Sequence, residues 1–227
     1  MGGGGSSLIA SPVFLMLGFP LPVVIGSGMV SGILWSLIAS RNYLRGHRMD
    51  WKLAGSLTAF GLIGAYFGTK VMLAFDPEVL KRVLGVVIIG LVALYHFKKS
   101  FGIEPRPVKC NKLITGLFAL PLGFYEGSFG SGNGIFTSAV LCSARGFTML
   151  EALGYYYLIA SAWCIFAATV YISTGNYSLK LIVPAIFGSI VGATIGSRLG
   201  KKHGAAFVKP VFIAVGSILG LKLLLGL

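Results

Sequence analysis

The 227-residue chain is short of charge, and above all of negative charge. It has 6 Asp and Glu against 19 Lys and Arg, and only 11% of its residues are charged. An ordinary soluble domain carries about 25%. Hydrophobic residues make up 56% of the chain, and the mean hydropathy is +0.87. A globule of this size and composition lacks the polar surface to cover itself, which excludes an ordinary soluble fold. Cysteine is scarce as well: Cys110, Cys142 and Cys164 are widely spaced and odd in number. That argues against a disulfide framework and against a zinc site. The 33 glycines follow no three-residue period, so neither a collagen-like chain nor a disordered one fits. Walker A, HExxH and GxSxG sequences and paired catalytic carboxylates are all missing, so no enzyme, no ATP-driven pump and no cofactor is expected. A basic n-region with a small-residue cleavage site is missing too, and no signal peptide is expected.

What the chain has in abundance is apolar sequence. Apolar segments run at 7–19, 22–40, 53–75, 79–97, 112–129, 134–144, 150–172, 179–199 and 205–227. A spanning helix needs roughly 20 residues, so the chain reads as an all-α, multi-pass integral membrane protein. The net charge of +13 is then a topology signal and not a nucleic-acid footprint, because Lys and Arg accumulate in cytoplasmic loops. His47, His96 and His203 all fall near segment ends and read as interfacial.

Sliding the sequence against itself by 128 residues gives seventeen identities over residues 1–99 without a gap. Gly2 and Gly4 meet Gly130 and Gly132, and Gly18-Phe19 meets Gly146-Phe147. Gly26 meets Gly154, Trp35 meets Trp163, Tyr43 meets Tyr171, and Gly64-Ala65 and Gly68 meet Gly192-Ala193 and Gly196. The chain is a duplication: repeat one over 1–97, a polar linker over 98–111, and repeat two over 112–227. Charge orients the halves. The 41–52 loop carries Arg41, Arg45, Arg48 and Lys52, whereas its counterpart at 169–180 carries only Lys180. The next loop reverses the pattern, with Arg198, Lys201, Lys202 and Lys209 in repeat two. Equivalent loops thus face opposite sides, the signature of inverted-topology repeats. By this count 41–52, 98–112 and 198–209 are cytoplasmic, while 173–179 and the C-terminus are outside.

Each repeat is expected to be a short broken-helix hairpin plus three transmembrane helices. Segment 134–144 gives about 17 Å of helix, too little for the ~30 Å hydrocarbon core, so a hairpin entering part-way is favoured. Lys112 to Phe129 has no counterpart in repeat one, because the chain begins at Met1. About one helix of repeat one is therefore expected to be missing.

The most informative stretch is Gly123-Phe124-Tyr125-Glu126-Gly127-Ser128-Phe129-Gly130-Ser131-Gly132-Asn133-Gly134. Glycines at this density do not continue a helix cheaply. Irregular backbone at membrane depth survives only when buried in protein or lining a wet cavity. A helix restarting there points free N–H groups and a positive dipole end at the break, which suits an anion. The candidate substrate-binding residues are Tyr125, Ser128, Ser131, Gly132, Asn133 and Gly134, with Gly3, Gly4, Ser6 and Ser7 from the inverted repeat; Ser131 and Asn133 are expected to add side-chain donors. The alternative is that the glycines only allow close helix packing. Glu126 is the one acid inside an apolar segment, and intramembrane ionisable groups are costly. A carboxyl away from water favours its neutral form, so Glu126 is the proton-coupling candidate. A structural Glu, buried neutral against a helix end, is the other reading. Gly64-x-x-x-Gly68, Gly192-x-x-x-Gly196, Gly28-x-x-x-Gly32 and Gly216-x-x-x-Gly220 read as close-packing motifs. Trp35 and Trp163 read as packing residues, and Lys70 and Arg198 as snorkelling ones.

At these residues the chain resembles the sulfite exporter TauE/SafE family of probable membrane transporters. Gly2–Gly5 with Ser11-Pro12 and Gly18-Phe19-Pro20 is similar to the family's first glycine-rich stretch. Gly123-Phe124-Tyr125-Glu126-Gly127 with Gly130-x-Gly132-x-Gly134 is similar to the second, in the branch with an acid after the aromatic pair. That branch usually has Asp where Glu126 stands, and often Pro before the second glycine where Ser131 stands. The resemblance covers nearly the whole chain and implies movement of sulfite, a sulfonate or a related organic anion across the cell (inner or plasma) membrane. The expected partners are a small anionic substrate and the lipid bilayer, with no nucleic acid and no metal; a homo-oligomer is compatible with the sequence. A secondary anion transporter is the first expectation, with a passive anion channel or a non-transporting membrane scaffold or truncated remnant as the alternatives.

Overall fold

The computed structural model describes residues 14, 17–46, 49–74, 86, 89–90, 92–93, 96–97, 103–105, 107–130 and 132–225. The regular structure among them is all helical: α1 (Leu21–Leu44), α2 (Trp51–Ala74), α3 (Lys112–Leu117), α4 (Ala119–Phe129), α5 (Asn133–Ala144), α6 (Met149–Ser173) and α7 (Leu179–Leu225). Four helical stretches, α1, α2, α6 and Leu179–Gly204 of α7, are long and apolar enough to cross a membrane. Each of these has 24 to 26 residues, about 36–39 Å at 1.5 Å per residue, which exceeds the ~30 Å hydrocarbon core.

The sequence explains where the helices stop. Thr148 caps α6, accepting a bond from the Glu151 N–H while the Glu151 carboxylate accepts from the Thr148 N–H. Asn111 caps α3 through the Ile114 N–H at 2.8 Å. Gly130 ends α4 in the left-handed region, with φ 60°. α7 is interrupted at Gly204, with φ 79°. The apolar stretch 112–129, read as one segment, is divided at Phe118, where the N–H turns back to the Gly116 carbonyl. Stretches 7–19 and 79–97 fall largely outside the described residues.

The 128-residue offset reappears in the coordinates. α1 begins at Leu21 and α6 at Met149, α2 at Trp51 and α7 at Leu179, each pair 128 apart. The turns before α1 and α6 both use a positive-φ glycine, Gly18 and Gly146, again 128 apart. α1 packs antiparallel on α6, with Ser40 bonding the Gly154 carbonyl near one end and Gly32 against Cys164 nearer the other. The contacts are reciprocal: Gly26 lies against Tyr171, and its equivalent Gly154 lies against Tyr43, the equivalent of Tyr171. Trp163 is fully buried and bonds the Thr58 carbonyl, while Trp35 meets Tyr157 edge-on. Both tryptophans pack, as expected.

α2 runs parallel to α3 and α4 and touches α4 backbone to backbone. A Cβ on Gly64 would lie 2.0 Å from the Leu120 carbonyl oxygen, one on Gly68 2.0 Å from that of Phe124, and one on Gly123 1.9 Å from that of Gly61. The close-packing reading therefore fits Gly64 and Gly68. It does not extend to Gly28 or Gly192, whose Cβ would meet nothing within 4 Å. Gly192 sits on a face of α7 that also exposes Phe187, Val191 and Ile195.

The two ends of the molecule differ in charge. Lys112 pairs with Asp50 at 2.6 Å, Asn42 bonds Ser197 at 2.7 Å, and Lys201 bonds the Arg45 carbonyl. This gathers Arg41, Arg45, Lys52, Lys109, Lys112, Arg198, Lys201 and Lys202 at one end. The opposite end, where the Ser178 N–H bonds the Ser27 hydroxyl, has Lys180 close by.

Candidate functional site

The site is built on a hairpin. α3 and α4 run inward from Lys112, and α5 runs back until the Ala144 carbonyl accepts bonds from the N–H groups of Lys109 and Cys110, both at 3.0 Å. The Arg145 guanidinium closes the same junction on the Cys110 carbonyl at 2.8 Å. At the inner tip the chain reverses through two left-handed glycines, Gly130 (φ 60°) and Gly132 (φ 79°). Only glycine takes up this conformation without cost, which accounts for their spacing. Gly132 is also the N-cap of α5, and no side chain caps that helix start. Its positive dipole end therefore opens at the tip, where an anion is favoured.

Glu126 sits one turn before the reversal, on α4, and is fully buried. One carboxylate oxygen, Oε2, accepts from the Asn133 side-chain amide at 2.7 Å and from the Tyr156 hydroxyl at 3.3 Å. The other, Oε1, accepts from the Cys164 thiol at 3.7 Å. Three donors from α5 and α6 thus converge on a single buried carboxyl. A charge can be held at such depth only when its lone pairs are satisfied in this way. Asn133 also donates to the Leu122 carbonyl at 3.0 Å, which fixes α5 against α4.

The sequence-derived residues divide into two groups. Tyr125, Glu126, Ser128, Gly132, Asn133 and Gly134 are brought together at the hairpin tip and are buried. Gly3, Gly4, Ser6, Ser7 and Ser131 lie outside the described residues. Among the first group, Ser128 has its hydroxyl engaged with the Gly68 and Phe124 carbonyls at 3.0 and 2.9 Å, and so holds α4 on α2. The Tyr125 ring packs with Phe129 and Phe136. Both amide N–H groups of Asn133 are engaged, and its atom without a partner is the acceptor Oδ1. Asn133 was expected as a donor to substrate; in this geometry it offers an acceptor. Tyr156 and Cys164 were not singled out from the sequence. Both lie inside the apolar run of α6, and nothing local distinguishes them from core residues. Lys70 lies over the Tyr66 ring, 4.9 Å from its centroid. No group of three or more His, Cys, Asp or Glu that could hold a metal occurs among the described residues.

The arrangement can hold a proton at Glu126 and present a helix N-terminus to an anion, within one turn of each other. Comparison with known proteins points to transport. A probable membrane transporter protein of Haemophilus influenzae is 24% identical over 221 residues, covering 97% of this chain and 87% of that protein. One from Sinorhizobium is 26% identical over 222 residues, covering 97% and 85%. One from Bacillus subtilis is 23% identical over 229 residues, covering 99% and 93%. No solved structure matches the chain. The profile of the sulfite exporter TauE/SafE family matches residues 1–223, and this multi-pass membrane protein belongs to that family.

Proposed function

We propose that the chain is a secondary transporter carrying a small anion of the sulfite or sulfonate class across the cell membrane together with a proton. The observation that carries this is the Glu126–Asn133 contact of 2.7 Å at the start of α5. An anion at that helix end and an ionised Glu126 would repel each other across a few ångströms of low-dielectric interior. Protonating Glu126 removes the repulsion. Anion and proton therefore bind together, which couples their movement. The relatives bear the name of membrane transporters, in keeping with this.

Alternating access follows from the duplication. A two-fold relation that exchanges two antiparallel spanning helices has its axis across them, in the plane of the membrane, and inverts the topology. The reciprocal Gly26–Tyr171 and Gly154–Tyr43 contacts support such an axis between α1 and α6. The hairpin of α3, α4 and α5 is re-entrant in this scheme: its ends meet, and the 12 residues of α5 reach only about 18 Å. The end rich in Lys and Arg is cytoplasmic by the positive-inside rule.

The test is a thermal-shift screen of the purified protein over sulfite, thiosulfate, sulfoacetate and carboxylates, followed by flux of any stabilising anion in proteoliposomes. Stabilisation by an oxyanion together with flux that responds to a proton gradient is expected. No anion movement with or without a gradient would contradict the proposal and favour a membrane scaffold.

A further inference from the structure

Hydroxyls within these helices as a rule return to a carbonyl three or four residues back. Ser31 does so to Gly28, Thr69 to Ala65, Ser128 to Phe124, Ser161 to Leu158 and Thr194 to Ile190. Two hydroxyls on α5 do not: that of Ser138, which lies roughly 140° round the helix from Asn133, and that of Thr137. Thr137 is fully buried, and its Oγ1 has no hydrogen-bond partner. One turn earlier, Asn133 is fully buried with its Oδ1 also unpartnered. Residues four apart share a helix face. Both oxygens therefore lie on the side of α5 that Asn133 turns toward Leu122 and Glu126 of α4. Buried polar atoms are nearly always paired, and leaving two unpaired on one face is costly. They adjoin the N-terminus of α5, which no side chain caps.

We infer that Thr137 and Asn133 bind the carried solute directly, and that this solute is a small oxyanion that also bears a hydrogen-bond donor. The inference rests on the anion-transport reading above and narrows it. The chemistry of the two atoms dictates the class. A threonine hydroxyl can donate to an oxyanion oxygen, whereas an amide oxygen only accepts. An anion with acceptor oxygens alone satisfies Thr137 but is repelled by Oδ1. An anion carrying a hydroxyl or amine satisfies both, with its oxygens on Thr137 and the α5 N-terminus and its donor on Asn133.

The experiment is uptake by the full chain in proteoliposomes of sulfite, ethanesulfonate and 2-hydroxyethanesulfonate. The two sulfonates have the same charge and head group and differ by one hydroxyl. The wild type is expected to show a KM about tenfold lower for the hydroxylated sulfonate, the usual scale of one hydrogen bond whose loss strands a buried partner. Thr137→Val keeps nearly the same shape without the hydroxyl. It is expected to raise KM about tenfold for every anion carried, while the melting temperature stays at or above the wild-type value because a buried unpaired group has gone. Thr137→Ser is expected to restore KM. Equal KM for the two sulfonates in the wild type overturns the inference, as does a wild-type KM in Thr137→Val. A lowered melting temperature in Thr137→Val also overturns it, by making Thr137 structural. A wild type that moves none of these anions overturns the transport reading itself, whereas sulfite uptake untouched by Thr137→Val overturns this inference alone.

Discussion

Glu126 accepts bonds from Asn133, Tyr156 and Cys164, so its side chain stays in place whether or not it carries charge. Glu126→Gln preserves the volume and one acceptor oxygen while removing the ionisable group. Flux in that variant is expected to lose its dependence on the pH gradient, with the protein still folded by its melting curve. Asn133 is the second residue on which the account turns. Asn133→Leu removes the free Oδ1 acceptor along with two engaged donors, and is expected to weaken binding of 2-hydroxyethanesulfonate by about 1–3 kcal/mol. Asn133→Asp sets a second carboxyl 2.7 Å-close to Glu126 and is expected to weaken it further. Titration calorimetry with 2-hydroxyethanesulfonate ranks the three proteins, and normal binding by Asn133→Asp would remove this residue from the site. Glu126 and Asn133 were legible in the sequence because one is an acid in an apolar run and the other interrupts a glycine series. Tyr156 and Cys164 were not legible, because each is polar only through a partner brought near by folding. Thr137 was hidden for the same reason: its lack of a partner is a property of the packed helices.

At the scale of elements, the sequence placed the ends of α1, α2, α5, α6 and the start of α7 to within a few residues, through apolar run length and glycine or polar breaks. It did not find the division at Phe118, where a single tightened turn leaves no residue signature. It also treated all the Gly-x-x-x-Gly pairs alike. Spacing reports that small residues share a face; it does not report what the face meets. α2 meets α4 along Gly61, Gly64 and Gly68, whereas Gly192 on α7 meets nothing within 4 Å. Paired substitutions separate the two cases. In Gly123→Ala the new methyl lies 1.9 Å from the Gly61 carbonyl oxygen, a backbone atom that cannot swing aside. Gly192→Ala enters open space and gains helix propensity. The first is expected to lower the melting temperature and the yield of monodisperse protein in detergent, and the second to leave both intact. Equal behaviour of the two variants would mean that α2 and α4 are not in backbone contact.

The molecule as a whole has a basic end and an apolar body. Cys110 lies at the basic end, beside Ala144, and is the one partly exposed thiol among three, since Cys142 and Cys164 are buried. In intact cells it is expected to resist a membrane-impermeant maleimide and to react after the cytoplasmic face is opened. Labelling in intact cells would reverse the assigned orientation. Proton coupling is the central claim, and the most direct measurement is sulfite flux in proteoliposomes under an imposed pH gradient, with wild type and Glu126→Gln side by side. Sulfite accumulation driven by the gradient in the wild type, and only downhill flux indifferent to pH in Glu126→Gln, is the predicted result. Equal gradient-driven accumulation by both proteins would contradict it.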